Sequence, residues 1–516
     1  MSSIRPHGRD PFLARPRHGT SSERPEMRPF LRHLPVPVLI AAYPIFFLYQ
    51  VNAAILAPRS ILLPLAVCIA IAALVYILWF AANGQRAVEA SNAAVGFLAS
   101  FLLYGSIYEG LLHADVLPAD HHRLLPVLLL LGLYAGLLLA KLRLPMALRL
   151  QQVLGVIVGG LILYNLAGVV AVEYRKSVSA PGVRQVVTGS PDTRVSNSTP
   201  DIYYIILDEF ASFHVVREYW HYDQINRFET YLKDKGFFVA STSRSRTAST
   251  MKEVATRLNY QYPERNHDSV YYSGLIAHNE VMQYLSSLGY TTVVFDGAGG
   301  AFAFPGKIPI EADYTFEYVP ASTDSTGIEV DEFAKMVFDR TMLRVLTDAN
   351  QGAYAPMVSR FKDNILYTFE KVADLADVPS PKFVFAHIML PHMPFVFDES
   401  GRLNDTRYLY NWNYYLGSYV FATRKTQELI DKLLRSSDPG NPPIIIIQSD
   451  HGARNMAAED PDSVTLPDYP DDYKYEILNA LLLPGLDTSL LAEDFAPINT
   501  FPLIFNTYFG DELPLE

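Results

Sequence analysis

Cysteine is nearly absent from this chain of 516 residues, which has one, Cys68. One cysteine cannot form a disulfide within a chain, and Cys68 falls inside a long apolar run. No cysteine outside that run is therefore available as a metal ligand or a nucleophile, and any reactive site must use oxygen and nitrogen side chains.

Positive charge is also in short supply. The chain has 42 Lys and Arg against 54 Asp and Glu, a formal net charge of −12, and the part after Glu173 is strongly acidic. Proteins that bind nucleic acid need basic patches to pair with the phosphate backbone. The composition therefore argues against a nucleic-acid partner.

Charge of either sign is scarce in the apolar runs before residue 173. At about 1.5 Å per residue, five of these runs are long enough to cross a hydrocarbon core of about 30 Å. They show no polar face such as a helix of a soluble bundle would carry. The sequence predicts a transmembrane domain of five helices over residues 34–172, with runs at Leu34–Ala57, Ser60–Ala82, Asn92–Ala114, Leu124–Ala140 and Leu150–Val172.

The distribution of Lys and Arg predicts the orientation of these helices. The arm over residues 1–33 holds seven Arg, the second loop holds Arg86, and the fourth holds Lys141, Arg143 and Arg149. Positively charged segments stay in the cytoplasm, so an odd number of spans places everything after them outside the cytoplasmic membrane. Because the first run lies far from the N-terminus, it is typical of an uncleaved anchor and not of a signal peptide.

The part after the spans shows the pattern of an α/β domain. Residues 173–199 are polar and rich in Ser, Thr, Gly and Pro, which predicts a linker. Over residues 200–516, short apolar runs alternate with helical patterns, which favours a mostly parallel sheet with helices on both faces. The predicted strands are Ile202–Leu207, Phe237–Ser241, Thr291–Phe295, Lys382–Ile388 and Ile444–Gln448.

Acids and histidines follow several of these strands. Asp208 and Glu209 follow the first strand, and Asp450 and His451 lie in "SDHG" after the last. By itself Asp-His-Gly is more typical of a turn, but ligands of parallel sheets bind where the carboxyl ends of strands meet. Two carboxylates and an imidazole suit one divalent cation, zinc or manganese first, with magnesium or calcium as alternatives.

A hydroxyl-rich segment precedes a helical pattern and offers a nucleophile. Thr250 stands directly before "MKEVATRLN", where helix N–H groups would stabilise the oxygens of an attacked phosphate. Ser249 and Thr247 are competing candidates. A capping box of Thr250 with Glu253 would be a purely structural explanation of the same pattern, and it is compatible with a nucleophilic Thr250.

Histidines and arginines near these motifs complete the set of candidates. His392, between two prolines, is a candidate donor to a substrate oxygen or proton carrier, whereas His387 inside a strand is expected to be a core histidine. Arg244 and Arg454 could pair with a phosphate, although solvated surface charge is the ordinary expectation for both.

The ordered motifs resemble a known family. "PDIYYIILDEF", the hydroxyl segment, "LPHMPF", "SDHG" and "ILNALLLPG" are similar to the sulfatase-like branch of the alkaline phosphatase superfamily, over roughly Pro200 to Gly510. Five spans before an exported domain resemble lipoteichoic-acid synthases and lipid A phosphoethanolamine transferases. The resemblance implies an alkaline-phosphatase-like fold and these roles: metal ligands Asp208, Thr250, Asp450 and His451, nucleophile Thr250, and substrate contact His392.

The chain departs from that family in three places. The membrane transferases usually have Glu as the first ligand, whereas here Asp208 is followed by Glu209, which could be a second ligand or a group beside the ligands. The Cys/Ser-x-Pro-x-Arg motif of true sulfatases is missing, which disfavours sulfate ester hydrolysis. No histidine follows His451, so one metal ion fits better than two.

The expected function is a metal-dependent transfer through a phosphothreonine intermediate. A phospho-alcohol head group, of the phosphoglycerol or phosphoethanolamine type, would pass from a membrane lipid to a glycan or lipid of the cell envelope. One alternative is a sulfatase-like phosphodiesterase or sulfatase that releases its product to water. Another is a catalytically inactive membrane scaffold or signalling protein.

Overall fold

The structure is a computed structural model, and it describes residues 33–53, 56, 58–113, 121–178, 199–263, 265–296, 310–318, 332–349, 355–404, 411–455 and 466–516. The predicted cytoplasmic arm, apart from His33, lies outside the described residues. So do residues 179–198, which are most of the predicted linker.

Five helices in the described part are long and apolar enough to cross a membrane, as predicted. They are α1 Pro35–Asn52, α2 Leu62–Ala82 with a 3-10 turn Pro58–Ile61 before it, α3 Ala87–His113, α4 His121–Ala140 and α5 Leu144–Val178. Helix α5 continues for six residues beyond the predicted end of its span at Val172. Glycines allow α3 and α4 to pack closely, since a Cβ at Gly96 would lie 2.8 Å from the backbone of Ala135.

A seven-stranded sheet forms the centre of the second domain, with the strand order β2-β7-β6-β1-β5-β3-β4. The strands are β1 Ile202–Leu207, β2 Phe238–Val239, β3 Thr291–Asp296, β4 Tyr314–Glu317, β5 Lys382–Ile388, β6 Ile444–Ser449 and β7 Asn479–Leu482. Strand β1 is central and pairs in parallel with β5 and β6, so that Leu207 lies beside both Ile388 and Ser449. Strand β7 runs antiparallel to both of its neighbours, β2 and β6.

The predicted mostly parallel sheet is confirmed, but two of its strands were not predicted. These are β4, a short edge strand with mostly exposed residues, and β7, a four-residue strand inside "ILNALLLPG". The predicted strand Phe237–Ser241 is reduced to the two residues of β2. All three lie toward the edges of the sheet, where short strands carry weak alternation.

Helices cover both faces of the sheet. On one face, alternate β1 residues such as Ile205 pack against α6 Phe213–Glu218, α7 Asn226–Asp234, α13 Ala355–Val372 and α14 Tyr415–Ser436. On the other, residues such as Tyr204 pack against α8 Thr250–Leu258, α9 Ser269–Ala277, α10 Glu280–Ser287 and α15 Thr500–Ile504. The two remaining helices, α11 Glu332–Asp339 and α12 Arg344–Ala349, pack instead on the membrane helices.

Candidate metal centre

Two neighbouring strands bring the predicted acids together at the carboxyl edge of the sheet. Asp208 directly follows β1, and Asp450 and His451 directly follow β6. All three side chains are buried, and one potential ligand atom from each lies within 4.8 Å of the others. We call Asp208, Asp450 and His451 the triad.

The ligand atoms of the triad face one another at distances that suit a metal ion. His451 Nε2 lies 3.3 Å from Asp450 Oδ2 and 3.9 Å from Asp208 Oδ1. In a tetrahedral zinc site with bonds of about 2.1 Å, ligand atoms lie about 3.4 Å apart. The spacing therefore accommodates a divalent cation between the three side chains.

The other polar atom of each triad side chain lies against a neighbouring polar group. Asp450 Oδ1 accepts from the Glu209 amide at 3.1 Å, and Asp208 Oδ2 lies 3.1 Å from His387 Nε2. His451 Nδ1 donates to the Gly452 carbonyl at 2.9 Å, which leaves the Nε2 lone pair directed at the carboxylates.

One carboxylate oxygen each of Asp208 and Asp450 faces the space between the triad side chains. Asp208 Oδ1 and Asp450 Oδ2 are buried and have no hydrogen-bond partner among the described residues. Buried carboxylate oxygens without partners are costly, and a bound cation would satisfy both at once. The donor set of two carboxylates and one imidazole therefore fits a single divalent metal ion.

Thr250 is the hydroxyl residue that reaches the triad. It is the first residue of α8, and its Oγ1 lies 3.4 Å from His451 Nε2. Thr247, one of the competing candidates, donates its hydroxyl to Glu253 Oε1 at 2.9 Å. Ser249 is the N-cap residue, and its side chain makes no capping hydrogen bond.

The predicted capping box of Thr250 with Glu253 is wrong. Thr250 lies inside the helix and not at its cap, and Glu253 Oε1 accepts from the backbone amide and the hydroxyl of Thr247. The Thr250 hydroxyl is therefore not engaged with Glu253.

Glu209 lies beside the triad, where its carboxylate binds Arg454. Its Oε1 accepts from the backbone amide and from Nε of Arg454, both at 3.0 Å. Its φ angle of 63° is in the left-handed region, which costs a non-glycine residue about 1–2 kcal/mol. Hydrogen bonds hold this turn, because the Glu209 amide donates to Asp450 and its carbonyl accepts from Tyr415 at 2.8 Å.

Arg454 links Glu209 to His392. Its Nη2 lies 2.6 Å from His392 Nε2, while His392 Nδ1 contacts the carbonyl of Met393. Since the guanidinium can only donate, Nε2 is the acceptor and Nδ1 carries the proton. Burial alone would lower the pKa of Arg454, but the carboxylates of Glu209, Asp208 and Asp450 hold it above its usual range.

Three histidines favour the ionised form of Asp208. Burial by itself would raise its pKa, but the imidazoles of His392, His387 and His451, when they are protonated, bring the pKa well below the ordinary value of an aspartate. The carboxylate that they favour is the form that binds a cation.

His387 and Arg244 lie in different surroundings. His387 is buried in β5, as expected, and its contact with Asp208 Oδ2 orients a carboxylate of the triad. Arg244 is exposed and pairs with Glu476 Oε1 at 3.1 Å and with the Asp472 carbonyl at 3.0 Å. No contact described in the structure joins Arg244 to the triad.

A buried arginine that the sequence analysis missed supports the turn after β6. Arg257, on α8, donates to the carbonyls of Ser449 and Asp450, both at 2.7 Å, and pairs with Glu253 at 3.2 Å. Glu253 and Arg257 are four residues apart on the helix that begins at Thr250, and this spacing is the sequence signal that could have predicted their ion pair.

No family model and no curated protein matches the chain. Among solved structures, the chain is similar to proteins of the alkaline phosphatase superfamily. The integral membrane lipooligosaccharide phosphoethanolamine transferase A from Neisseria meningitidis matches with 12% identity and a TM-score of 0.43, over 92% of this chain and 95% of that one.

Two further solved structures give similar values. The C-terminal periplasmic domain of EptC from Escherichia coli, in complex with zinc, has 13% identity and a TM-score of 0.39, over 61% of this chain and 83% of that one. The lipoteichoic acid synthase LtaP from Listeria monocytogenes has 14% identity and a TM-score of 0.39, over 67% and 78%. At such identities and TM-scores, these likenesses assign no activity to this chain.

Proposed function

We propose that this protein is a membrane-anchored, metal-dependent phosphotransferase whose nucleophile is Thr250. One observation carries the proposal: Thr250 Oγ1 meets His451 Nε2 where two buried carboxylate oxygens also converge. A nucleophilic hydroxyl beside an oxygen and nitrogen metal site is the arrangement that phosphoryl transfer needs.

The triad and Thr250 have different roles in the proposed reaction. A divalent ion, when bound by the triad, supplies positive charge that lowers the pKa of the Thr250 hydroxyl. Thr250 Oγ1 forms a bond to phosphorus as the bond from phosphorus to the lipid oxygen breaks, and that oxygen takes up a proton. An acceptor hydroxyl then attacks the phosphothreonine, which restores Thr250.

Arg454 and His392 are the proposed substrate contacts. The Arg454 guanidinium is close enough to Asp208 and Asp450 to be influenced by their charge, and only two of its three nitrogens bond to described residues. It can therefore offer Nη1 to a phosphoryl oxygen. When Arg454 turns toward substrate, His392 Nε2 is released to take up the proton that the Thr250 hydroxyl loses and to pass it to the leaving oxygen.

The membrane helices support a lipid as the donor. A lipid head group must be reached at the bilayer surface, which is where five spans hold the domain. We propose a donor with a phospho-alcohol head group, an acceptor glycan or lipid of the cell envelope, and an extracytoplasmic site on the cytoplasmic membrane. The basic loops favour this orientation.

A turnover experiment on the full-length protein in lipid nanodiscs tests the proposal. A phospholipid with a labelled head group is supplied with and without an acceptor alcohol, after loading with zinc or manganese. We expect label release by the wild type, none by Thr250→Ala, and retained activity in the matched control Ser249→Ala. Turnover by Thr250→Ala would overturn the assignment, and release to water alone would favour the hydrolase alternative.

A further inference from the structure

Two helices of the exported domain pack into the membrane domain. Helices α11 and α12, residues 332–349, form what we call the docking segment. Its residues Phe333, Val337 and Phe338 are buried in one apolar cluster with side chains of α1, α2 and α3. The ring of Phe333 meets that of Tyr49, on α1, edge to face with centroids 5.8 Å apart.

Backbone hydrogen bonds join the docking segment to α3. The amide of Gly105 donates to the Arg340 carbonyl, and the amide of Met342 donates to the Phe101 carbonyl, both at 3.0 Å. A Cβ at Gly105 would lie 2.0 Å from the Asp339 carbonyl oxygen and 2.5 Å from Arg340 Cα. This approach therefore requires glycine at position 105.

An ion pair between the buried Arg344 and the half-buried Glu109 joins the docking segment to α3. Arg344 Nη1 lies 2.9 Å from Glu109 Oε1, and the guanidinium covers the ring of Tyr108 at 4.7 Å. The Arg344 side chain is 4% exposed. Removing Glu109 would leave the Arg344 charge buried without this partner, so the pair disfavours other arrangements of the two domains.

A strand that ends at the triad edge of the sheet precedes the docking segment, and the helix that follows the helix of Thr250 also contacts the membrane helices. Strand β4 ends at Glu317, and because it is parallel to β3, β5 and β1, its end lies at the carboxyl edge. The docking segment follows β4 in the chain. In addition, α9, which follows the helix of Thr250, contacts α5, and its Val270 is buried in the same apolar cluster.

We infer that the docking segment is a positioning element that holds the triad edge of the sheet against the membrane domain, for a donor embedded in the bilayer. The inference rests on the proposed function, because it assumes a lipid-borne phosphodiester. A water-soluble phosphodiester can diffuse to Thr250 in any arrangement of the domains. A lipid head group is confined to the bilayer surface, so its reaction depends on where that edge is held.

Matched glycine variants of the full-length protein in nanodiscs test the inference. Gly105→Ala pushes Cβ into the backbone of the docking segment, whereas Gly110→Ala, on the same helix, meets nothing within 4 Å. For Gly105→Ala we expect kcat/KM for the phospholipid donor to fall by at least about tenfold, since a 1 Å misplacement can cost about 100-fold. Cleavage of bis-p-nitrophenyl phosphate should stay at the wild-type rate, and Gly110→Ala should match the wild type on both substrates.

A charge exchange tests the ion pair independently of the glycine. Arg344→Glu and Glu109→Arg each place like charges together and should lose phospholipid turnover, whereas the double variant should regain it. Arg435→Glu, an exposed position at the end of α14, is the control. Hydrogen exchange in residues 332–339 should increase in the single variants and return to the wild-type rate in the double variant.

The outcomes separate this inference from the proposed function. Equal losses with both substrates, or none with either, in Gly105→Ala would overturn the positioning role and leave the proposed function standing. A wild-type protein that turns over neither substrate would overturn the proposed function. In that case, unchanged hydrogen exchange in the single charge variants would also overturn the docking contact.

Discussion

At the scale of single residues, the triad combines burial with an incomplete set of hydrogen bonds. Asp208 and Asp450 each have one carboxylate oxygen bound by a neighbour and one without a partner among the described residues. Two buried carboxylates that face each other repel, so a cation between them is the arrangement that satisfies both.

Replacing a proposed metal ligand, or a residue that contacts one, should weaken metal binding. Loss of a group that contacts a metal ligand lowers metal affinity by roughly 10–100-fold. We expect a fall of about that size for His387→Ala and a larger fall for Asp450→Asn. Metal content after equilibrium dialysis measures both. Asp374→Asn, an exposed aspartate, is the control and should bind like the wild type. Full metal content in Asp450→Asn would contradict the site.

Replacing Arg454, the proposed substrate contact, should weaken substrate binding and leave metal binding unchanged. Hydrogen bonds to charged groups contribute about 1.5–3 kcal/mol, so Arg454→Ala should raise KM for a phosphodiester by roughly 10–100-fold. Metal content should remain that of the wild type, and Arg402→Ala, an exposed arginine, should leave KM unchanged. An unchanged KM in Arg454→Ala would remove Arg454 from the substrate site.

The residues of the site were predictable from the sequence only where they directly follow a strand. Asp208, Asp450 and His451 directly follow strands, so the sequence alone predicted that they meet. The contact of Glu209 with Arg454 depends on a left-handed turn at Glu209 and on the chain direction after Gly452. Neither of these two features affects the hydrophobic periodicity, so the sequence does not determine the role of Glu209.

At the scale of elements, α8 connects Thr250, the proposed nucleophile, to the triad. The helix begins at Thr250, and one turn later Glu253 and Arg257 form a buried pair whose arginine also binds the backbone at Ser449 and Asp450. Thr250 and the β6 turn are thus held by the same helix.

Breaking the pair on α8 should destabilise the protein strongly. Arg257→Leu leaves Glu253 buried without its cation and two carbonyls without a donor, which we expect to cost about 3–5 kcal/mol. The melting temperature of the detergent-solubilised full-length protein measures the loss. Arg435→Leu, an exposed control on α14, should change stability by no more than about 0.5 kcal/mol. Equal melting temperatures for Arg257→Leu and the wild type would contradict the structural role.

Elements were predictable in proportion to their burial. Strands β1 and β5 match the predicted bounds, because their residues are buried throughout and, apart from Lys382 and His387 in β5, apolar. Strands β4 and β7 have four residues each, and β4 is largely exposed, so neither produces a sustained pattern. The antiparallel position of β7 depends on its pairing with β6, which a single sequence does not reveal.

At the scale of the whole molecule, the five spans and the sheet domain form one assembly. The docking segment and α9 contact the membrane helices, so the two parts touch through residues other than those between 178 and 199. Hydropathy predicted the two domains but not their contact, because the docking segment is a short amphipathic stretch like those that pack on the sheet.

Cysteine accessibility tests the proposed orientation. Since Cys68 is the only cysteine, Cys68→Ala gives a background without thiols. In spheroplasts, an impermeant maleimide should label Glu512→Cys at once and label Gln85→Cys, in the second loop, only after lysis. The reverse pattern would place the sheet domain in the cytoplasm.

The most direct test of the central claim is peptide mass spectrometry of the full-length, metal-loaded protein, quenched in acid after incubation with a phospholipid donor and no acceptor. We predict that the peptide carrying Thr250 gains the mass of the phospho-alcohol head group and that fragmentation places the adduct on Thr250. An adduct on Ser249 or Thr247, or turnover without any adduct, would contradict the account.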